Sequence, residues 1–213
     1  MHRYLAIKDT PAHERGSKFV PRVVMIGGKA APGYYNAKVI IELINAVSSV
    51  VNSDSEIGDL LKVVFLPNYN VSSAQIIIPA SELSQHISTA GTEASGTSNM
   101  KFVMNGCLII GTMDGANVEI AEEIGVENMF IFGKNVPEVN EARTAMHNGD
   151  RSYVGSRLSR VYETIKSGTF RGNTHAFIHL IDNLINGNDH YLVSHDFYSY
   201  MEAQERVDMT YRD

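Results

Sequence analysis

The fold class follows from one stretch of the chain, CLIIGTMDGANVEIAEEIGVENMFIFG, residues 107–133. Cys107–Thr112 is a short apolar run of the kind found in buried strands. Ala116–Gly125 has a helical pattern, and it ends on a glycine, the residue that most often terminates a helix. A second apolar run, Asn128–Gly133, follows directly. A strand, a helix and a strand in this order predict parallel strands joined by a crossover helix.

The same alternation continues toward the N-terminus. Arg22–Gly28 and Leu61–Asn70 read as buried strands, the second ended by Pro67, and residues 72–83 read as a short helix and turn broken at Pro79. The segment between the two strands is helical, and its predicted buried face consists of Ala37, Ile40, Ile41, Ile44, Val47 and Val51. We therefore predict an α/β fold with a doubly wound, mostly parallel sheet, which binds ligands beyond the carboxyl ends of its strands.

The pattern changes after Pro137, where no further strand is evident. Three helical stretches follow, Ser156–Gly168, Asn173–Gly187 and Asp196–Arg212. The predicted organisation is a partial sheet domain over residues 1–136 that carries the functional site. Residues 137–213 are predicted to be a helical appendage of that same domain.

Composition excludes several classes of function. The chain has 213 residues, of which 44% are hydrophobic and 20% charged, as in ordinary globular domains. A net charge of -6, without any run of Lys or Arg, gives no reason to expect nucleic acid as a partner. No apolar run reaches membrane-spanning length, and the first residues lack an apolar signal core. The single cysteine, Cys107, predicts a small buried side chain in a reducing compartment.

The heptapeptide GTSNMKF, residues 96–102, is a candidate anion site. At the start of a helix, Gly96, Thr97 and Ser98 would present free N–H groups to an anion such as phosphate. Thr97 and Lys101 are four residues apart, so they share one helix face. A flat ligand with a phosphate at one end and an aldehyde at the other, such as pyridoxal phosphate, fits this spacing. Spacing alone favours the alternative, an exposed lysine after an ordinary helix start.

Three other features have simpler interpretations. The glycine pair at 27–28 follows a strand but matches neither the Walker pattern nor a dinucleotide fingerprint, so a tight turn is predicted. Asp114 and Gly115 read as a turn before a helix. Asn117 and Glu119 fall in the first turn of that helix, where a capping role is expected before a catalytic one. No metal site is predicted, because His175 and His179 lack a third ligand nearby in the sequence.

Several long motifs together resemble the glycogen/starch (α-glucan) phosphorylase family. They are VPRVVMIGGKAAPGY (20–34), PNYNVS (67–72), QHISTAGTEASGTSNMKF (85–102) and NGCLIIGTMDGANVEI (105–120). The match extends to Gly133 and, more loosely, through QERVDMTYRD (204–213). The resemblance implies a GT-B enzyme, in which two Rossmann-like domains close on a cleft. This chain resembles the later part of the C-terminal domain.

The resemblance assigns a cofactor site. Lys101 matches the lysine that binds pyridoxal phosphate as a Schiff base, and Gly96, Thr97 and Ser98 match the positions that hold the cofactor phosphate. Three further positions match a stretch beside the cofactor, in which animal enzymes have an arginine at the second position: Tyr69, Asn70 and Val71.

The resemblance also assigns substrate positions. The loop that hydrogen-bonds the glucosyl hydroxyls matches Glu93, Ala94, Ser95 and Gly96, and an aromatic residue at the cleft entrance matches Tyr34. The implied reaction transfers a terminal α-1,4-linked glucosyl unit of a glucan to inorganic phosphate, giving glucose 1-phosphate. The cofactor phosphate would act beside the substrate phosphate, in proton transfer or as an electrostatic partner.

The family's Lys-Arg pair that grips the substrate phosphate has no counterpart in this sequence. No complete catalytic set is therefore expected, and we predict that the isolated chain is inactive. The remainder of a phosphorylase chain is the expected partner, in a homodimer located in the cytoplasm, or in a plastid if the source is a plant. One alternative is a non-catalytic Rossmann-like binding module with a vestigial site. Another is a different pyridoxal enzyme such as an aminotransferase, although an Asp partner for the pyridine nitrogen is not evident.

Overall fold

The computed structural model describes residues 1–212, which form two compact units. The first unit comprises residues 1–69 and 154–186, and the second comprises residues 70–153 and the chain from Gly187 onward. The elements are, in chain order, α1 (His2–Asp9), α2 (Ala12–Lys18), β1 (Arg22–Gly27), α3 (Tyr35–Ser53), β2 (Leu61–Leu66), α4 (Val71–Ile77), β3 (Leu83–His86), α5 (Ser98–Met104), β4 (Leu108–Gly111), α6 (Asn117–Ile124), a 3-10 turn (Val126–Asn128), β5 (Phe130–Ile131), α7 (Val136–His147), α8 (Ser156–Lys166), α9 (Thr174–Asn183), a π-helical turn (Leu184–Asn188) and α10 (Val193–Arg212).

The first unit contains a parallel pair of strands with α3 packed against it. β1 and β2 pair in register from Arg22 opposite Leu61 to Gly27 opposite Leu66. Both strands lie where the sequence predicts them. The buried residues of α3 recur every fourth position, at Val39, Leu43, Val47 and Val51.

The buried face of α3 differs from the predicted one. Val47 and Val51 are buried as expected, but Ile40 is 44% exposed, whereas Leu43 is only 6% exposed. The reason is that apolar residues occur nearly all round this helix. Periodicity therefore shows that the segment is helical but does not select which apolar stripe faces the sheet.

The burial of Leu43 on α3 leads to a prediction about the stability of the first unit. Leu43→Ala is expected to lower the free energy of unfolding of the first unit by about 2–3 kcal/mol, because it leaves a cavity where a buried side chain stood. Ile40→Ala is the matched control and is expected to change it by less than about 0.5 kcal/mol. Urea unfolding followed by circular dichroism measures both, and equal losses would mean that the helix faces the sheet differently.

The second unit contains a three-stranded parallel sheet in the order β3-β4-β5. Leu83–His86 pairs with Leu108–Gly111, and Ile110 and Gly111 pair with Phe130 and Ile131. The predicted alternation of parallel strands and helices is thus confirmed. The sequence does not predict β3, because three of the four residues in LSQH have polar side chains and there is no apolar run. Since all three strands are parallel, their carboxyl ends lie along one edge.

The helices after β5 include one that the sequence analysis missed. Three predicted helical stretches correspond to α8, α9 and α10. The missed helix, α7, starts with a capping box, in which the Asn135 side chain accepts from the Glu138 N–H and the Glu138 carboxylate accepts from the Asn135 N–H. Pro137 lies in its first turn, where proline is well tolerated, and not at a boundary. The division of the chain after residue 136 stays a prediction.

α7 and α10 complete the core of the second unit. Val139, Ala142 and Met146 of α7 pack with Ala90 and Leu192. On α10, Ala203 packs with Ile110 and Phe132 beside the sheet. Among the described residues, no helix combines the length and the apolar character that crossing a membrane requires.

Candidate functional site

The candidate site lies at the carboxyl edge of the three-stranded sheet. Where β3 and β4 end, the Thr112 N–H donates to the His86 carbonyl at 3.2 Å. The Thr112 hydroxyl donates to the Ser88 carbonyl at 2.6 Å. These bonds continue the strand pairing by two residues, so the segment that follows β3 starts in a defined position. We call residues 88–96 the site loop, since it contains the predicted glucosyl-binding positions.

A buried carboxylate holds the first half of the site loop. Asp114 is 6% exposed. Its carboxylate accepts from the Ser88 hydroxyl at 2.6 Å, the Gly91 N–H at 2.8 Å and the Glu93 N–H at 3.0 Å. A buried carboxylate is costly unless it is hydrogen-bonded, and here three donors satisfy it. The carboxylate therefore fixes the loop backbone as far as Glu93.

The turn that follows Asp114 holds the second half. The Ala116 N–H donates to the Ser95 carbonyl at 2.5 Å. Gly115 has φ +53°, and a Cβ at this position would collide with the same Ser95 carbonyl. Glycine is thus required both by its backbone conformation and by the closeness of the loop. Asp114, Gly115 and Ala116 thus hold both halves of the site loop, and we call these three residues the clamp turn.

A pair of buried asparagines joins the start of α5 to the sheet. The Asn99 Nδ2 donates to the Asn117 Oδ1 at 2.9 Å. The Asn117 Nδ2 donates to the carbonyls of Thr112 at 2.9 Å and His86 at 3.3 Å. A Cβ at Gly111 would lie 2.7 Å from that nitrogen, so the glycine makes room for the amide. The network fixes α5 relative to the ends of β3 and β4.

The start of α5 leaves several polar groups available to a ligand. Gly96 has φ +87°, a conformation that favours glycine. Thr97 occupies the position before the first helical residue, yet its hydroxyl does not cap the helix. Within residues 1–212, the hydroxyls of Thr97 and Ser98 make no hydrogen bond, and both residues are exposed. In the first turn of α5, the Met100 N–H donates to the Asn99 Oδ1 at 3.0 Å, whereas the N–H groups of Ser98 and Asn99 lack helical partners.

Lys101 is exposed in the fourth position of α5. Its amine has no hydrogen-bond or ion-pair partner in the described part of the chain. Thr97 precedes it by four residues, at the position directly before the helix. An amine, two hydroxyls and backbone N–H groups are therefore available together, and this set suits a ligand that carries both a phosphate and a carbonyl group.

The predicted glucosyl-binding side chains project from the site loop. Glu93, Ala94 and Ser95 are exposed, and the Ser95 hydroxyl donates only to the neighbouring Gly96 carbonyl at 3.2 Å. The loop backbone is thus anchored while its side chains stay accessible. Together with Gly96, Thr97, Ser98 and Lys101, these residues form one continuous segment of the sequence.

Asn70 and Val71 lie at the start of α4. The Asn70 Oδ1 accepts from the Ser73 N–H at 3.1 Å, and the Ser73 hydroxyl accepts from the Asn70 N–H at 2.9 Å, forming a capping box. The side-chain oxygen of Asn70 therefore has a structural role. Val71 is 78% exposed.

Tyr69 and Tyr34 belong to the first unit. The Tyr69 ring lies against the end of β1, where a Cβ at Gly27 would be 2.9 Å from it. The first glycine of the pair at 27–28 therefore makes room for an aromatic ring, in addition to ending the strand. Tyr34 is exposed immediately before α3.

Burial lowers the pKa of His86, whose Nε2 lies 3.0 Å from the Ser84 hydroxyl and whose ring packs edge-on against Phe102 of α5. Cys107 is buried as predicted, and burial raises the pKa of its thiol, which disfavours the reactive thiolate. The rings of His175 and His179 are 4.5 Å apart on α9. Residues 1–212 contain no group of three or more His, Cys, Asp or Glu side chains arranged to hold a metal ion.

Sequence reasoning missed the residues that hold the site in place. The sequence predicts a turn at Asp114 and a helix start at Asn117, and nothing in its pattern points to Asn99. The available signal was their position, since each stands next to a glycine-containing segment at the end of a strand or the start of a helix. Apart from the Thr112 carbonyl, five residues before Asn117, their partners outside the helix start lie 18 to 31 residues away, which spacing does not reveal.

Comparison with known proteins gives consistent matches over the whole chain. The family model for carbohydrate phosphorylases matches residues 1–213. The chain is 57% identical to Glycogen phosphorylase 2 of Dictyostelium discoideum. It is 52% identical to the L isozyme of alpha-1,4 glucan phosphorylase, chloroplastic/amyloplastic, of Ipomoea batatas, and 52% identical to the cytosolic Alpha-glucan phosphorylase 2 of Arabidopsis thaliana. All of this chain is covered in each case, but it spans only 21%, 22% and 25% of these relatives.

Proposed function

Because the chain belongs to the carbohydrate phosphorylase family, we propose that it forms the cofactor-binding part of an α-1,4-glucan phosphorylase. The complete enzyme transfers a terminal glucosyl unit from glycogen or starch to inorganic phosphate and releases glucose 1-phosphate. The observation that supports the proposal most directly concerns the segment from Glu93 to Lys101. It combines accessible side chains with a backbone that is anchored by Asp114 and Ala116.

Lys101 is the proposed attachment point for pyridoxal phosphate. Its exposed amine has no partner within residues 1–212, so covalent attachment breaks no existing interaction. The hydroxyls of Thr97 and Ser98, with the backbone at Gly96, are the proposed ligands of the cofactor phosphate. When bound, the cofactor supplies a phosphate group for proton transfer beside the substrate phosphate. Lys101 itself serves only to hold the ring in place.

Three more residues are proposed to line the cofactor site: Tyr69, Asn70 and Val71. Val71 is exposed and offers apolar surface to a ring. The capping box at the start of α4 fixes the backbone of Asn70 and so sets the direction in which Val71 projects. Tyr69 is held by its contact with β1 at Gly27.

The site loop is proposed to bind the glucosyl unit. The Glu93 carboxylate accepts hydrogen bonds from sugar hydroxyls, and a charged acceptor makes these bonds stronger than neutral ones. Ala94, Ser95 and Gly96 contribute polar backbone groups, and Ser95 adds a hydroxyl. Tyr34, exposed in the first unit, is proposed to stand at the cleft entrance.

Activity is proposed to require the rest of a phosphorylase chain, because no Lys-Arg pair for the substrate phosphate is recognised within these 213 residues. The complete protein is proposed to be a homodimer. Since the relatives include a cytosolic and a plastid isozyme, we infer a cytoplasmic location, or a plastid one in a plant.

A chimera tests the proposed function. The 213 residues replace the corresponding segment of Glycogen phosphorylase 2 of Dictyostelium discoideum, and release of glucose 1-phosphate from glycogen and phosphate is measured. We expect turnover by the chimera and none by the isolated chain. A folded chimera that retains glycogen but produces no glucose 1-phosphate would favour the alternative, a binding module with a vestigial site.

A further inference from the structure

We propose that Asp114 is a positioning residue for the glucosyl unit, acting through the site loop. The proposal rests on the proposed function. It assigns a role in substrate affinity to the clamp turn, which lies outside the site loop. Asp114 does not touch the substrate in this account. It determines where the Glu93 carboxylate and the Ser95 hydroxyl stand when the sugar arrives.

Three hydrogen-bond donors of the site loop converge on the Asp114 carboxylate. Oδ2 of Asp114 accepts from the Ser88 hydroxyl and the Glu93 N–H, and Oδ1 accepts from the Gly91 N–H. Gly91 has φ +86°, so the loop backbone turns in a left-handed conformation between these contacts. Because the N–H of Glu93 itself is bound, the direction in which its side chain leaves the backbone is fixed.

The loop has few other anchors near its functional end. The side chains of Glu93, Ala94 and Ser95 are exposed, and none of them makes a hydrogen bond beyond its neighbour within residues 1–212. The Thr92 hydroxyl donates to the Thr89 carbonyl within the loop, and the Thr89 hydroxyl donates to the Tyr191 carbonyl at its start. From Gly91 to Ser95, the anchors outside the loop are therefore the clamp turn: Asp114 for the first half and Ala116 for the second.

Asp114→Asn tests this role with the smallest change in shape. An ionised carboxylate is an acceptor on both oxygens, whereas an amide has one oxygen and one NH2 donor. At least one of the three donors then faces another donor, so one bond to the loop is lost. The loop backbone shifts, and the side chains that bind the sugar shift with it.

The experiment compares Asp114→Asn with Asp196→Asn in the chimera. Asp196 is a matched control in the same unit, since its partly buried carboxylate accepts from the Lys134 N–H at 3.2 Å and, within residues 1–212, makes no hydrogen bond to the site loop. In the reverse reaction, in which glucose 1-phosphate is the substrate, displacement of the loop is expected to lower kcat/KM by about 10- to 100-fold in Asp114→Asn, mostly through a raised KM for glucose 1-phosphate. Both variants are expected to carry cofactor at Lys101 as the parent does, and Asp196→Asn is expected to keep the parent's kinetics.

Kinetics are expressed per cofactor-loaded enzyme, which separates positioning from stability. A purely structural role for Asp114 would reduce the amount of folded protein and leave kcat and KM unchanged, and that result would overturn the proposal. If Asp114→Asn does not fold, Gly115→Ala is used instead. It keeps the carboxylate but pushes the Ser95 carbonyl, so the same rise in KM is expected, and an unchanged KM would again contradict the proposal.

A second measurement keeps this test separate from the proposed function. Amide hydrogen exchange in the 213-residue chain reports the Gly91 and Glu93 N–H groups directly. Asp114→Asn should speed exchange at these two amides more than at other loop amides, and unchanged exchange would contradict the proposal. An inactive parent chimera, by contrast, counts against the proposed function, while the exchange result still decides whether Asp114 positions the loop.

Discussion

Replacing Lys101 with alanine is expected to abolish phosphorolysis by the completed chimera, with turnover falling by more than about 1,000-fold, or ~4 kcal/mol in barrier height. The reason is that the cofactor loses its covalent attachment, and the phosphate that it supplies is no longer held beside the substrate. Lys101→Arg is expected to fail equally, because it restores the positive charge but not the primary amine.

Lys134→Ala is the matched control for this substitution. Lys134 follows β5 in the same unit but lies outside the site loop and α5. We expect it to retain both cofactor and turnover. Activity is measured as glucose 1-phosphate released, and bound cofactor by its absorbance. A Lys101→Ala enzyme with parental turnover would show that the lysine has no role in the reaction.

Replacing Asn117 with leucine is expected to lower the free energy of unfolding of the second unit by about 3–6 kcal/mol. The change removes an amide that is 1% exposed and leaves the carbonyls of Thr112 and His86 and the Asn99 amide without their partner. Each unsatisfied buried group costs about 1–3 kcal/mol. The melting temperature of that unit should fall by roughly 12–25 °C, at about 4 °C per kcal/mol for a unit of this size.

Asn128→Leu provides the control, since Asn128 is an exposed asparagine whose Nδ2 donates to the Ile124 carbonyl at 2.5 Å. Asn128→Leu is expected to change the free energy of unfolding of the second unit by less than about 0.5 kcal/mol. Calorimetry measures both variants, and the two units are fitted as separate transitions. Equal melting temperatures for Asn117→Leu and the parent would mean that the buried network contributes no net stability.

The strands that the sequence predicted are those with uninterrupted apolar runs, such as Arg22–Gly27 and Leu108–Gly111. β3 is not predicted because three of its four residues are polar. For α3, the sequence showed a helix but not its orientation, since apolar residues on several sides compete for the sheet and only packing decides between them. The capping box of α7, Asn135 and Glu138, can be recognised in the sequence. Pro137 in the same turn, however, suggested a boundary between two parts of the chain instead of a helix start.

The candidate site was predictable where it is local. The spacing of Thr97 and Lys101 made an anion site with an amine one of two interpretations, and by itself it favoured an exposed lysine. The cofactor site and the family came from the resemblance of the surrounding motifs. The supporting contacts were not predictable, because they join residues far apart in the chain. Asp114 and Gly91 are 23 positions apart, and Asn117 and His86 are 31 apart. Such pairs meet only after the parallel strands have brought their carboxyl ends to one edge.

Borohydride reduction of the chimera with pyridoxal phosphate, followed by peptide mapping, tests the central claim most directly. Reduction fixes the cofactor on whichever amine holds it. The account predicts one labelled site, Lys101, and no label at that position in Lys101→Arg. A label on any other lysine of the 213 residues, or a fully active chimera that carries no label at Lys101, would contradict the account.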